Sequence, residues 1–255
     1  MNKVIKYVVI DILKNKIVLG YTLLLLLVSL SVFSLDDSAS RGVITLLNLV
    51  LLIVPLVSII FSTIYIYNAS EFIELLVTQP IKRSKIWRSI MFGLMFSLGL
   101  AFILGAAIPL ILFDGSAAAY SLIFAGIMLS IIFVAIAMLA VVLTRDKAKG
   151  IGLGILLWFY FTILYDGIVL FVLFQFSDYP MEIPMLFMTA LNPVDLARIL
   201  ILLKLDISAL MGYTGAVFKS FFSSGYGMGI TALVLVIWAF LPSWLSLKKF
   251  KIKDL

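Results

Sequence analysis

The side chains that most often carry chemistry in proteins are missing from this sequence. The chain has 255 residues with no histidine and no cysteine. It therefore lacks the commonest general base, the commonest metal ligand and any thiolate nucleophile. Catalysis would have to rest on Asp, Glu, Lys, Ser, Thr or Tyr, and no constellation of these residues indicates an active site or a metal site. The sequence favours a protein that is not an enzyme.

One acidic residue stands out because of its surroundings. Asp166 is the only charged residue inside the six long apolar segments described below. Ionisable groups at membrane depth are costly, and they commonly mark transport paths or structural pairs. Two interpretations are open: Asp166 lines a transport path, or it forms a structural bond, either to a neighbouring helix or to Arg198 or Lys204.

Residues 68–80 form a short polar segment between two apolar ones. Asn68 or Ser70 can cap a short helix, Glu71 lies in its first turn, and Pro80 ends it. Its apolar face would fit a groove on another protein, whereas the alternative is an interfacial hairpin anchored by Trp87 and lysines, without a partner. The residues predicted to contact a partner are Asn68, Ser70, Glu71, Phe72, Glu74, Leu75, Leu76, Gln79 and Pro80, of which Phe72, Leu75, Leu76 and Gln79 share one face.

A second unusual segment covers residues 177–227. Asn192 and Pro193 read as the N-cap and first position of a helix, with Asp195 at the third. The predicted helix, residues 194–205, is too short to cross a bilayer, so it lies on the outer leaflet or dips into it. A stretch rich in Gly and Ser follows. The candidate residues of this segment are Asn192, Pro193, Asp195, Arg198, Thr214 and Gly215.

The elements that must position these residues are membrane helices. Hydrophobic residues make up 64% of the chain, charged residues 13%, and the mean hydropathy is +1.24, values outside the range of soluble domains. We expect an all-α polytopic membrane protein with a transmembrane domain over residues 17–247. Its six predicted spans are Ile17–Leu35, Val43–Tyr67, Ile90–Phe113, Tyr120–Leu143, Ile151–Phe176 and Met228–Leu247.

The distribution of positive charge predicts the topology. Fifteen of the 19 basic residues fall in residues 1–16, 82–88, 145–149 and 248–255. The positive-inside rule places these segments, and both termini, in the cytoplasm. The net charge of +6 is then a topological signal. It predicts contact with membrane lipid and not with nucleic acid.

Helical periodicity extends beyond the spans. Residues 2–16 read as an amphipathic interfacial helix, the alternative being an extension of the first span. Gly93, Ser97, Ala101 and Gly105 recur at four-residue steps and predict a packing face, with a kink at Pro109. Residues 248–255 form a basic cytoplasmic tail.

The segment from Asn68 to Ile86, Asn-x₅-Glu-Leu-Leu-x₃-Pro-Ile-Lys-Arg-x-x-Ile in its main features, resembles the permeases of ABC-2 type exporters. The resemblance implies a type V exporter-like fold in which residues 68–80 are the coupling helix and residues 177–227 include re-entrant helices. It also implies a separate ATP-binding subunit that binds ATP and Mg²⁺. No P-loop motif occurs in this chain, so we expect it to hold no cofactor of its own.

Two further motifs, Leu191–Arg198 and Gly212–Val217, are similar to the NosY permeases of nitrous oxide reductase maturation. This narrower resemblance implies a homodimer in the inner (cytoplasmic) membrane of the cell, with a NosF-like ATPase and a periplasmic NosD-like protein. The cargo would be a sulfur species for copper–sulfide cluster assembly. The alternatives are a secondary transporter or channel for a small solute, or an ABC-2 permease that exports a drug, a lipid or a polysaccharide.

Overall fold

The computed structural model describes residues 2–35, 39–176, 179, 182–202, 204 and 225–252. Within these residues the secondary structure is helical, with no strand. The helices are α1 (Asn2–Leu13), α2 (Lys16–Leu35), α3 (Ala39–Asn68), α4 (Ser70–Thr78), α5 (Arg83–Phe113), α6 (Ala117–Leu143), α7 (Lys147–Gln175), α8 (Glu182–Ala190), α9 (Pro193–Leu202) and α10 (Gly225–Ile252).

Six of these helices, α2, α3, α5, α6, α7 and α10, are long and apolar enough to cross a membrane, which confirms the six predicted spans. Most boundaries differ from the prediction because helices continue past the apolar core into polar residues. The largest difference is at the start of α5, which begins at Arg83 and not at Ile90. Helix α10 continues to Ile252, so most of the predicted basic tail is the last turns of the sixth span helix.

The amphipathic N-terminal segment is a helix separate from the first span. The α-helical pattern breaks after Leu13, and the Asn15 Oδ1 atom accepts a hydrogen bond of 2.9 Å from the Ile17 amide at the start of α2. The alternative, a continuous extension of α2, is therefore wrong. The apolar face of α1 is buried through Val8 and Ile12, and α1 packs against α5.

Helix α6 is the centre of the bundle. It packs against α3, α5, α9 and α10, and most of its side chains are buried. Gly126 provides room for one of these contacts, because a Cβ atom there would lie 2.2 Å from the Phe102 ring of α5. A helix that is apolar around its whole circumference is typical of such a core position.

The small residues of α5 allow close approach of helices within the chain. A Cβ atom on Gly93 would lie 2.5 Å from Val8 of α1, and one on Gly105 would lie 2.7 Å from Leu25 of α2. The predicted packing face is therefore used, against α1 and α2. The irregularity expected near Pro109 is a π-helical turn, Ile103–Ala107, just before the proline. Such a turn changes the hydrogen bonding where the proline ring would crowd the preceding carbonyls.

We predict that Gly105→Ala destabilises the protein by about 1–3 kcal/mol relative to Gly99→Ala. The new methyl group at Gly105 would also meet the Thr22 backbone oxygen at 2.8 Å, which cannot rotate away, whereas nothing lies within 4 Å of a Cβ at Gly99. Thermal unfolding of both variants in the same detergent tests this. Equal melting temperatures would show that α2 and α5 do not approach each other as described.

Candidate functional site

Helix α4, the predicted coupling helix, lies at the end of the bundle where the basic segments meet. Tyr7 of α1 contacts Phe72 of α4 with ring centroids 5.3 Å apart. The Trp87 ring near the start of α5 stacks on Phe250 of α10 at 4.1 Å. Helix α1, the segment before α5 and the last turns of α10 are therefore at one end, which we call the basic end. Which side of a membrane it faces stays a prediction.

The two faces of α4 have different surroundings. Ile73 and Leu76 are buried and face the bundle, with Phe72 partly buried against Tyr7, whereas Leu75 is 65% exposed. The prediction that Phe72, Leu75, Leu76 and Gln79 form one free face is therefore wrong. Nearly every position from 72 to 77 is apolar, so periodicity did not determine which stripe is buried, and contacts with α1 and α5 decide it. The residues of the exposed face are Glu71, Glu74, Leu75, Thr78 and Gln79.

The start of α4 also differs from the prediction, and its end agrees with it. The N-cap residue is Ala69, which makes no side-chain capping bond, so neither Asn68 nor Ser70 is the cap. Asn68 instead ends α3, and its Oδ1 atom accepts a hydrogen bond of 2.7 Å from the Lys147 Nζ atom. That bond ties the base of α4 to the first residue of α7. The helix stops before Pro80, as predicted, with Gln79 in an extended conformation.

A cavity of about 290 Å³ lies under α4. Ser70, Ile73 and Glu74 of α4 line one side, and Trp87 and Arg145 belong to the other. Sequence reasoning treated Trp87 as a surface anchor, but this residue is 1% exposed and donates a 3.0 Å hydrogen bond to the Ser246 Oγ atom. Ser246 and Phe250 are four residues apart on α10 and therefore share one helix face. That spacing is the sequence signal that both residues contact the same partner.

The second predicted site contains a broken helix pair. Segments Pro184–Ala190 and Pro193–Leu202 meet at an angle of 113°, the geometry of a broken span or a re-entrant loop. Asn192 caps the second helix, since its Oδ1 atom accepts a hydrogen bond of 3.0 Å from the Val194 amide. The capping prediction is therefore confirmed. Helix α9 is mostly buried and packs on α6, so it inserts into the bundle and does not lie on its surface.

Asn192 also attaches the broken pair to α7. Its Nδ2 atom donates a hydrogen bond of 2.9 Å to the carbonyl of Phe161. Phe161 belongs to a second π-helical turn, Tyr160–Leu164, and such turns are frequent at functional positions. Helix α8 is held to the same region, because the Tyr165 hydroxyl donates a hydrogen bond of 2.6 Å to the Met188 carbonyl. Sequence reasoning identified neither this π-helical turn nor the bounds of α8.

Asp166 forms an ion pair with Arg198, at 2.7 Å between the Oδ2 and Nη1 atoms. Arg198 also lies 3.4 Å from Asp195, the first carboxylate of α9. The predicted pairing of Asp166 is therefore present, with Arg198 and not Lys204 as the partner. Its role in transport stays a prediction. The Asp166 and Asp195 carboxylates therefore share one nitrogen of the Arg198 guanidinium.

Parts of the predicted outer motif cannot be placed. Thr214 and Gly215, together with the rest of the Gly- and Ser-rich stretch before residue 225, lie outside the described residues. The candidate residues that the structure brings together are Asp166, Asn192, Pro193, Asp195 and Arg198.

Comparisons with known proteins found no match among protein-family models and none among curated proteins.

We predict that Arg198→Leu lowers the free energy of unfolding by about 1–3 kcal/mol, a range below that of fully buried pairs because these side chains are about one third exposed. The loss leaves two adjacent carboxylates without their shared cation. Adding Asp195→Asn should recover part of the stability, because it removes one of the two repelling charges. Thermal unfolding in detergent measures both effects.

Lys204→Leu is the control, because Lys204 is exposed and belongs to neither ion pair. If Arg198→Leu and Lys204→Leu unfold at the same temperature, the shared guanidinium does not stabilise the broken pair.

Proposed function

We propose that this chain is the membrane-spanning subunit of an ATP-driven ABC-2 type exporter. The observation that carries the proposal is the surface of α4. This short helix joins the second and third spans, packs on the bundle through Ile73 and Leu76, and presents Leu75 at 65% exposure between the exposed residues Glu71, Glu74 and Gln79. In a groove of a partner bound to this face, Leu75 would be the apolar anchor and the surrounding polar residues the rim of the contact.

The mechanism follows from how α4 is attached. Helix α4 is linked directly to α3 and by a short turn to α5, and its inner face is buried. Movement of a partner held on its outer face would therefore be transmitted to two spans. In the proposed cycle, a separate NosF-like subunit binds ATP and Mg²⁺, its closure displaces α4, and α3 and α5 move between inward- and outward-facing arrangements.

The proposed cargo and assembly are those of the narrower resemblance. The motif Leu191–Arg198 supports export of a sulfur species for the copper–sulfide cluster of nitrous oxide reductase, across the inner (cytoplasmic) membrane and with a periplasmic NosD-like partner. A second copy of this chain fits the exposed fifth span. Within the described residues, 11% of the most apolar 18-residue stretch of α7 is buried inside the chain, whereas 72% of the corresponding stretch of α6 is buried. Lipid or a second protomer would cover this surface.

The charged group formed by Asp166, Asp195 and Arg198 favours a second candidate, a secondary transporter for a small solute. Two carboxylates near one guanidinium can exchange a proton or a cation, and ion-coupled carriers use such groups inside the bundle. This alternative requires no ATPase and makes no use of the outer face of α4.

We predict that Leu75→Ser reduces the amount of ATPase that co-purifies with the chain from native membranes about tenfold, because it removes the apolar anchor of the contact. Leu112→Ser is the matched control. Leu112 is also exposed, at 75%, but it lies at the far end of α5 from α4, where an ATPase bound to the basic end cannot reach it.

Quantitative mass spectrometry of the purified complexes provides the measurement. A stoichiometric ATPase with the wild-type chain and with Leu112→Ser, but not with Leu75→Ser, is expected. Wild-type preparations without an ATPase would contradict the exporter assignment and favour the secondary transporter.

A further inference from the structure

A second cavity at the basic end, of about 280 Å³, lies between α1, the start of α2, the end of α3 and the start of α4. Its lining includes four aromatic rings, those of Tyr7, Phe61, Tyr65 and Phe72, and one carboxylate, that of Asp11. The neighbouring cavity under α4 has a different lining, and the exposed face of α4 with Leu75 does not contribute to this one. The function proposed above leaves it unexplained.

The rings are arranged in two pairs around this cavity. Tyr7 and Phe72 have centroids 5.3 Å apart, and Phe61 and Tyr65 have centroids 5.9 Å apart. Each ring face carries negative charge density, so a group of rings around a small cavity attracts a cation more strongly than an anion or a neutral group. Ammonium groups with alkyl substituents are the ligands that such aromatic sites recognise.

Asp11 adds a formal negative charge to the same cavity. The Tyr65 hydroxyl donates a hydrogen bond of 3.0 Å to the Asp11 Oδ2 atom, which orients the carboxylate and leaves Oδ1 for another donor. Within the described part of the chain, neither ion pair includes Asp11, and the one cation–π contact, Lys248 over Trp244, lies elsewhere. The chain thus provides the carboxylate and the rings, and no cation of its own occupies them in the described residues.

We propose that this cavity binds an alkylammonium group, supplied by the headgroup of phosphatidylethanolamine or by a free amine. The ammonium would contact the Asp11 carboxylate and the faces of Tyr7, Tyr65 and Phe72. An anionic headgroup would be repelled by the same groups. A cavity of about 280 Å³ is large enough for an ethanolamine headgroup and too small for a whole lipid.

The surroundings of the cavity suit a lipid. Ile17, which also lines it, is 54% exposed and begins the apolar surface of α2, along which acyl chains could lie. Lys14 and Lys16 are exposed and flank Asn15, another lining residue, so an ammonium and a phosphate of one headgroup could be bound together. A free amine would use the aromatic and carboxylate part alone.

The test is native mass spectrometry of the full chain in detergent, titrated with palmitoyl-oleoyl phosphatidylethanolamine, with the matching phosphatidylglycerol, and with ethanolamine as a free competitor. Wild-type protein should bind the ethanolamine lipid in preference to the glycerol lipid. Asp11→Asn and Tyr7→Leu should weaken that binding about three- to thirtyfold, whereas Tyr7→Phe, which keeps the ring, should retain it.

Tyr120→Leu is the matched control, since Tyr7 and Tyr120 are equally exposed, at 56%, and Tyr120 lies in α6 away from this cavity. Because Tyr7 and Asp11 are both exposed, their replacement leaves the buried core intact, and size-exclusion profiles check the fold of each variant.

The two possible sources of the ammonium group, the lipid headgroup and a free amine, give different results in this experiment. If lipid is the ligand, the double variant Lys14→Gln/Lys16→Gln weakens binding of phosphatidylethanolamine. If a free amine is the ligand, ethanolamine binds in a manner that depends on Asp11 and Tyr7, and the lysine variant has no effect. The proposal is overturned if the binding of neither phosphatidylethanolamine nor ethanolamine depends on Asp11 and Tyr7. Phosphatidylglycerol binding as tight as that of phosphatidylethanolamine rejects the lipid as the source of the ammonium group.

Discussion

Helix α6 is apolar around its whole circumference, and α3, α5, α9 and α10 pack on it from different sides. The hydroxyls of Ser121 and Ser130 bond to carbonyls of α6 itself, so the shape of the packing surface places these neighbours: Gly126 accepts the Phe102 ring, and small residues elsewhere let helices approach closely. Both ion pairs of the described residues lie beside the broken pair α8–α9, and the polar residues of α4 lie at the basic end. Both candidate sites depend on this division, because each consists of polar groups held where the apolar packing ends.

The two sites use different means of attachment. At the basic end, α4 is held by burial of Ile73 and Leu76, and a hydrogen bond between Lys147 and Asn68 ties its base to the start of α7. At the broken pair, hydrogen bonds and charges add to the burial of α9, since Asn192 and Arg198 both connect this segment to α7. Helices α3, α5 and α6 run through the region between them. In the proposed transport cycle, a displacement at the basic end would be transmitted through these helices to the charged group.

Sequence reasoning identified the position of each candidate site better than its internal arrangement. Residues 68–80 and Asn192–Arg198 were both singled out, and the Asn192 cap was predicted correctly because capping is a local interaction between residues two or three apart. The prediction of which face of α4 is exposed was wrong, because the nearly continuous apolar run of this helix fits several orientations. The predicted surface position of Trp87 was wrong for another reason. Its partners, Ser246 and Phe250, are more than 150 residues away in the chain.

The amino-acid sequence by itself determined that this is an all-α chain with six apolar spans. Backbone groups in hydrocarbon must be hydrogen-bonded within the segment, and about 20 apolar residues cross a bilayer, so composition and length suffice for that conclusion. Only the tertiary structure decided that Asp166 pairs with Arg198, that α9 inserts beside α6, and that Tyr7, Asp11 and Tyr65 surround one cavity. These contacts join residues far apart in the chain, and they depend on helix rotations and packing distances that no local pattern encodes.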